Sequence, residues 1–281
     1  DLNLILEQYP VTVSLICFFL ISTIGVSHGS LDNLKGEKLL KKLNIKNIAV
    51  FYLAYILIAI FIILLWIFIP VFTLIVFLIV ASYHFGKEDN VRFFSFEKRP
   101  NTKFKFIYFF LKGSLVVSAP LLFNQTETLQ IFKALNIDLE NINYSLILIF
   151  MLLSISSNIF LNEYWVHPFL DSFTIIFLNA FFSPLIAFTI YFCFLHSLRH
   201  SLSLIEDLNK KNFKKGVNIF LKKSLPLTVL TMLIFILGLF FLNKYYMLDS
   251  AILKVIFIGL ASLTFPHILL EYLLERNEKR N

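Results

Sequence analysis

Cysteine is scarce: Cys17 and Cys193 are the only two in 281 residues. That is too few for a disulfide framework, and both lie in apolar runs, where a thiol behaves as a small hydrophobe. The chain lacks anything like an interdomain linker, a repeat at fixed period, or the charged, apolar and cleavage regions of a signal peptide ahead of its first apolar run. HExxH is missing, which removes the zinc-protease signature. No two histidines are adjacent, so the six present do not form the HxxHH clusters of membrane di-iron desaturases and hydroxylases. The net charge of +7 invites a nucleic-acid reading, but no aromatic-basic motif supports one.

Hydrophobic mass is abundant. The chain is 58% hydrophobic and 17% aromatic, with 34 phenylalanines, where a soluble domain is about 45–50% apolar. Runs long enough to cross a hydrocarbon core of about 30 Å recur along its whole length. The fold class is therefore all-α: a polytopic transmembrane helix bundle, with residues 1–281 as a single integral-membrane domain. Candidate spans cover 11–27, 48–69, 70–84, 106–123, 144–161, 172–202, 225–243 and 251–272. Pro70 divides the second from the third, since proline cannot continue a helix without losing a hydrogen bond.

Basic residues orient these spans. Lys35, Lys38, Lys41, Lys42 and Lys46 follow the first; Lys87, Arg92, Lys98, Arg99, Lys103 and Lys105 follow the third. Lys210, Lys211, Lys214, Lys215, Lys222 and Lys223 precede 225–243, and Arg276, Lys279 and Arg280 end the chain. Lysine- and arginine-rich segments stay cytoplasmic, so the chain reads as a multi-pass cell-membrane protein with a cytoplasmic C-terminus. The segment 172–202 breaks the alternation if it crosses once. With NAFFSP (179–184) in its middle, it reads as a helical hairpin with short or re-entrant arms, for seven to nine spans in all. Irregular backbone at that depth needs protein or a cavity around it.

On this topology His28, His84, His196, His200 and His267 all reach the cytoplasmic leaflet at similar depth. A lone histidine there is ordinarily a hydrogen-bonded interfacial residue, and His167, in EYWVHPFLD, is read that way. The set, with the i, i+4 pair of CFLHSLRHSL on one helix face, favours a metal: imidazole suits Fe, Cu, Zn and Ni, and bundles build such sites from facing helices. Asp32, Asp89 and Glu271 follow His28, His84 and His267 by four, five and four residues. Each either accepts a ligand's second N–H or is solvated at the membrane surface. Lys112, within the fourth span, is either functional or snorkels to the interface.

HGSLDN (28–33), SYHFGKED (82–89), SPLIAFTIYFCFLHSLRHSL (183–202) and LTFPH (263–267) resemble, in order, the motifs of the Brp/Blh family of membrane β-carotene 15,15′-dioxygenases. The likeness runs from about residue 20 to about residue 270. It implies cleavage of the central double bond of β-carotene by O2 to two retinal molecules, at a non-haem Fe(II) held by His28, His84, His196 and His200. His267 is then a fifth ligand or an outer-shell donor, with Asp32 and Glu271 beside it, and no catalytic residue is needed beyond the ligands. Asn33 stands where the family often has a second histidine, and FFSP where two prolines are common. The resemblance also implies the lipid bilayer as substrate source and a functional link to a retinal-binding rhodopsin. The rival readings are another histidine-ligated membrane metalloprotein (a lipid desaturase or hydroxylase, or a haem protein) and a transporter or retinal receptor. A transporter would show inverted repeats, and Lys254 lies near the outer end of its span, away from where a retinal Schiff base belongs.

Overall fold

The computed structural model describes residues 10–89, 105–160 and 166–278. Arg92, Lys98, Arg99, Lys103, Lys279 and Arg280, used above to orient the spans, lie outside them. All regular structure among the described residues is helical, and seven of the helical stretches are long and apolar enough to cross a membrane.

The first crossing joins α1 (Pro10–Leu20) through a π-helical turn (Ile21–Gly25) and a 3-10 turn (Ser27–Leu31) to α2 (Asp32–Lys42). Next, α3 (Ala49–Phe68) is apolar all round. Only Ile62 and Trp66 are buried, and apart from the side that packs on the last helix (Leu248–Glu278) its surface is open, as expected of a peripheral membrane helix. It ends where the sequence indicates: Ile69 leaves helical geometry (φ −139°, ψ 62°) ahead of Pro70, which opens α4 (Pro70–Glu88) at its first position.

Helices α4 and α5 (Lys105–Phe123) form the tightest pair of the bundle. Two glycines explain it. A Cβ on Gly86 would strike the Phe109 carbonyl, and one on Gly113 the Ser82 carbonyl, so the backbones touch in the small-residue manner of membrane helices. After the short α6 (Gln125–Ala134), α7 (Tyr144–Phe160) packs on α5.

The hairpin expected near 172–202 is present and longer. Its first arm is α8 (Val166–Phe181), 16 residues and so about 24 Å of helix. Its second is a continuous 25-residue run, 184–208, made of α9 (Pro184–Ile190), a π-helical stretch (Tyr191–Ser197) and α10 (Leu198–Leu208). The corner at Phe182–Ser183 is not left to lipid. Asn124, from the end of α5, donates to the carbonyls of Asn179 (2.6 Å) and Phe182 (3.2 Å), satisfying groups that a helix end leaves without partners. Finally α11 (Phe213–Leu242) and α12 (Leu248–Glu278) run 30 and 31 residues, extending well beyond the apolar segments 225–243 and 251–272. Pro120, Pro226 and Pro266 sit inside helices, a placement membrane bundles tolerate.

Candidate metal centre

Five of the six histidines converge. His28 comes from the 3-10 turn, His84 from the last turn of α4, His196 from the π-helical stretch, His200 from α10 and His267 from α12; all five are buried. All three departures from α-geometry lie in the two segments that carry His28 and His196, and the two π-helical ones pack against each other. Such single-turn π segments are frequent at functional sites. Here the widened turn brings His196 and His200 to bear on a ring from another element. His28 lies 5.1 Å from His196 and 5.2 Å from His200, centroid to centroid. His84 lies 5.4 Å from His196 and 5.1 Å from His267, and His267 lies 5.7 Å from His28 and 6.2 Å from His200. Ring nitrogens of His28, His84 and His267 all come within 4.8 Å of one another. His167 is exposed and stands apart.

The Nδ1 atoms are held from behind. His196 Nδ1 is 2.8 Å from Asp89 Oδ1, and His267 Nδ1 is 2.8 Å from Asp32 Oδ2. His28 Nδ1 is 2.9 Å from the Gly25 carbonyl and 3.0 Å from Ser197 Oγ, whose own proton goes to the Ile24 carbonyl at 2.6 Å. Carboxylates and carbonyls only accept, so in these three rings Nδ1 carries the proton and Nε2 keeps its lone pair. Glu88 Oε2 stands 3.2 Å from His200 Nδ1, too poorly aligned for a hydrogen bond, and Glu271 Oε2 stands 3.9 Å from His84 Nδ1.

The opposite nitrogens are left over. Nε2 of His196, His200 and His267 is buried and has no hydrogen-bond partner among the described residues. A buried polar atom without a partner costs about 1–3 kcal/mol, and three of them in one cluster is a large cost. Imidazole lone pairs converging in a dry interior are the donor set a transition-metal ion takes, so the residues present fit such an ion.

The acids are not paired as their spacing suggests. Asp32 follows His28 but binds His267, and Asp89 follows His84 but binds His196. Glu271 follows His267, at 3.6 Å from its Nε2, and pairs with Lys35 at 2.7 Å. Asp32 and Asp89 each reach across to a histidine on a neighbouring element, whereas Glu271 stays beside its own and also reaches Lys35. Tyr55 donates to Asp32 (3.0 Å) and Tyr191 to Asp89 (2.6 Å). Two Tyr–Asp–His chains thus stand on opposite sides of the cluster.

Arg199, between the paired histidines, faces away from them. It clamps Asp171 with both terminal nitrogens (3.0 and 2.7 Å) and donates to the Asp89 carbonyl (3.0 Å). Lys112 does not snorkel. It is buried, 3.3 Å from the same carbonyl and 3.6 Å from Asp171. Burial alone would raise the Asp89 carboxyl, but His196, Arg199 and Lys112 around it outweigh burial and hold its pKa at about 2, which keeps it an acceptor. Toward the start of α12, thirteen residues before His267, Lys254 donates to Asn136 (2.8 Å).

A cavity of about 260 Å³ opens beside the cluster. His28, His84, His196 and His267 line one wall of it, with Tyr55 and Phe192 beside them.

Fold and site define a class: a polytopic helical membrane bundle around a buried histidine cluster beside a largely apolar cavity. A family model described as beta-carotene 15,15′-dioxygenase matches residues 19–275, and the chain belongs to that family of carotenoid-cleaving dioxygenases. It is 30% identical over 258 residues to the beta-carotene 15,15′-dioxygenase of the uncultured marine bacterium 66A03, covering 89% of this chain and 90% of that one. No solved structure matches it.

Proposed function

We infer that this protein cleaves β-carotene at its central 15,15′ double bond with O2, giving two molecules of retinal, at a non-haem Fe(II). The observation that carries the reading is the set of buried Nε2 atoms, without protein partners, beside a cavity inside a membrane bundle. His28, His84, His196 and His200 hold the iron. His267, whose Nε2 is equally buried and unpartnered, is a fifth nitrogen rather than an outer-shell donor. Asp32 acts through His267, and Glu271 balances charge beside it. With five rings clustered and neighbours 5.1 to 6.2 Å apart, a flat porphyrin laid between any two of them would run into the others, which favours a bare ion over haem.

Bound Fe(II) supplies the one-electron chemistry that ground-state O2 needs in order to attack a closed-shell alkene. The chain's own residues place, shield and hold. Apolar walls keep water from the reacting centre, and Phe85 and Phe192, with centroids 4.8 and 5.7 Å from His196, cover the ligand layer. The depth of the cavity selects which double bond meets the site. Both bonds between C15 and C15′ break and each carbon leaves with one oxygen atom, so atoms and electrons balance with no added reductant and no net proton. That balance suits a site where both oxygens of Asp32 are already engaged, by His267 and Tyr55.

The whole chain acts as one integral-membrane domain of the cell membrane, with the histidine layer and the C-terminus at the cytoplasmic face, where its lysine- and arginine-rich segments gather. β-Carotene comes from the bilayer and retinal serves a retinal-binding rhodopsin. The test is expression in cells that make β-carotene, followed by pigment extraction and iron analysis of the purified protein. Retinal replaces β-carotene in cells with the native chain. In His196→Ala both retinal and bound iron are lost. Full retinal formation by His196→Ala with unchanged iron would overturn the assignment.

A further inference from the structure

The same cavity has a second side. Besides the histidine wall it is bounded by Tyr52 and Ile56 of α3 and by Leu230 and Ile234 of α11. Those four residues are also exposed on the outside of the bundle; Ile56, Leu230 and Ile234 are each more than half exposed. Helices α3 and α11 both pack on α12 but barely meet each other. They are also the two membrane helices with the least buried surface. The cavity is therefore continuous with the lipid-facing surface through a gap between α3 and α11, with Leu260 and Leu263 of α12 as its back wall.

Size decides what that gap is for. Pockets of about 300–1,000 Å³ enclose drug-sized ligands, and about 260 Å³ falls below that range. A forty-carbon carotenoid is larger than a drug, and a central cut puts half of it on each side of the iron. The cavity has room for one half at most.

We propose that the gap between α3 and α11 is a lateral portal through which the carotenoid enters from the bilayer, and that one half of the polyene lies in the cavity while the other stays in the gap, against Ile56 and Leu230 and partly in lipid, so that the central bond sits beside the histidine wall. This rests on the function inferred above and deepens it. The enzyme grips one end of its substrate and leaves the other to the membrane, so one end group meets the protein's selection and the far end group does not.

The test reads occupancy of the gap, not turnover. Ile56→Cys and Leu230→Cys place thiols in the portal. Phe61→Cys and Ile236→Cys place them at exposed positions on the same helices that do not line the cavity. The native Cys17 and Cys193 are buried. Iron-loaded full-length protein in liposomes, with and without β-carotene and without O2, is labelled with a membrane-soluble maleimide. β-Carotene slows labelling at 56 and 230 about fivefold, as mass action requires when the gap is mostly occupied, and leaves 61 and 236 unchanged. Equal slowing at all four, or at none, overturns the portal. Retinal formation by the native chain is measured in parallel with O2 present. Retinal without protection rejects the portal and keeps the function. Protection without retinal keeps the polyene-binding gap and rejects the cleavage reaction.

Discussion

At His196, what lies behind the ring matters as much as the ring. Asp89 fixes the proton on Nδ1, Tyr191 and Arg199 fix Asp89, and Asp171 fixes Arg199. Replacing Asp89 with asparagine keeps shape and acceptor but removes the charge and lets the amide turn its NH2 toward the imidazole. Outer-shell changes of this kind cost about 10–100-fold in metal affinity. Asp89→Asn is therefore expected to weaken Fe(II) or Co(II) binding by that factor, read by titration of the metal-free protein. Native affinity in Asp89→Asn would show that the carboxylate does not tune the site. The histidines were legible in the sequence, their partners only in part. Three histidines are each followed four residues later by an acid: His28 by Asp32, His84 by Glu88, His267 by Glu271. The recurrence points to Glu88 as much as to Asp89, yet no spacing within one helix tells which histidine on another helix an acid will meet. Tyr55, Tyr191 and Ser197 carried no signal at all, because each acts only through a contact made by folding.

Helices decide how accurately those residues are delivered. His84 rides on the last turn of α4, and α4 is registered against α5 by the Gly86–Gly113 crossing. A methyl at Gly86 drives into a backbone carbonyl that has nowhere to go, so the helices must part. Overpacking of this kind typically costs about 1–3 kcal/mol. Gly86→Ala is expected to lower the midpoint of thermal unfolding and the iron content together. Gly238→Ala, where the new Cβ meets only Val255 Cγ2 at 3.7 Å, should be neutral or stabilising, since alanine is favoured over glycine inside a helix by about 1 kcal/mol. Equal thermal stability in both variants would show that the crossing does not set the register. Spans, the Pro70 break and the hairpin were readable from hydropathy, proline and charge, because those express the solvent around each segment. The π and 3-10 turns at His28 and His196 were not. They are changes of backbone hydrogen-bond register imposed by packing between two distant segments, and residue types there do not announce them.

Across the whole molecule the cluster acts as a clasp. Its five rings come from near both ends of the chain and from the middle, and they join α4, α10, α12 and the first crossing. A ligand bound only by the folded state stabilises it by mass action, by about 2.7 kcal/mol when free ligand stands at a hundred times its Kd. Removing the ion returns several buried nitrogens to a state without partners, each unfavourable by about 1–3 kcal/mol. The metal-free protein should therefore be globally less stable, and not merely inactive. Stripping the purified protein with a membrane-permeant chelator is expected to lower its unfolding midpoint by about 5 °C or more. Fe(II) should restore the midpoint, whereas Mg2+, which prefers oxygen donors, should not. His200→Ala, which deletes one donor without touching the Asp32 and Asp89 anchors, should begin at a lower midpoint and respond less to the chelator. An unfolding midpoint indifferent to both chelator and Fe(II) would mean that the five histidines hold one another without an ion, and the metal centre would fall with it.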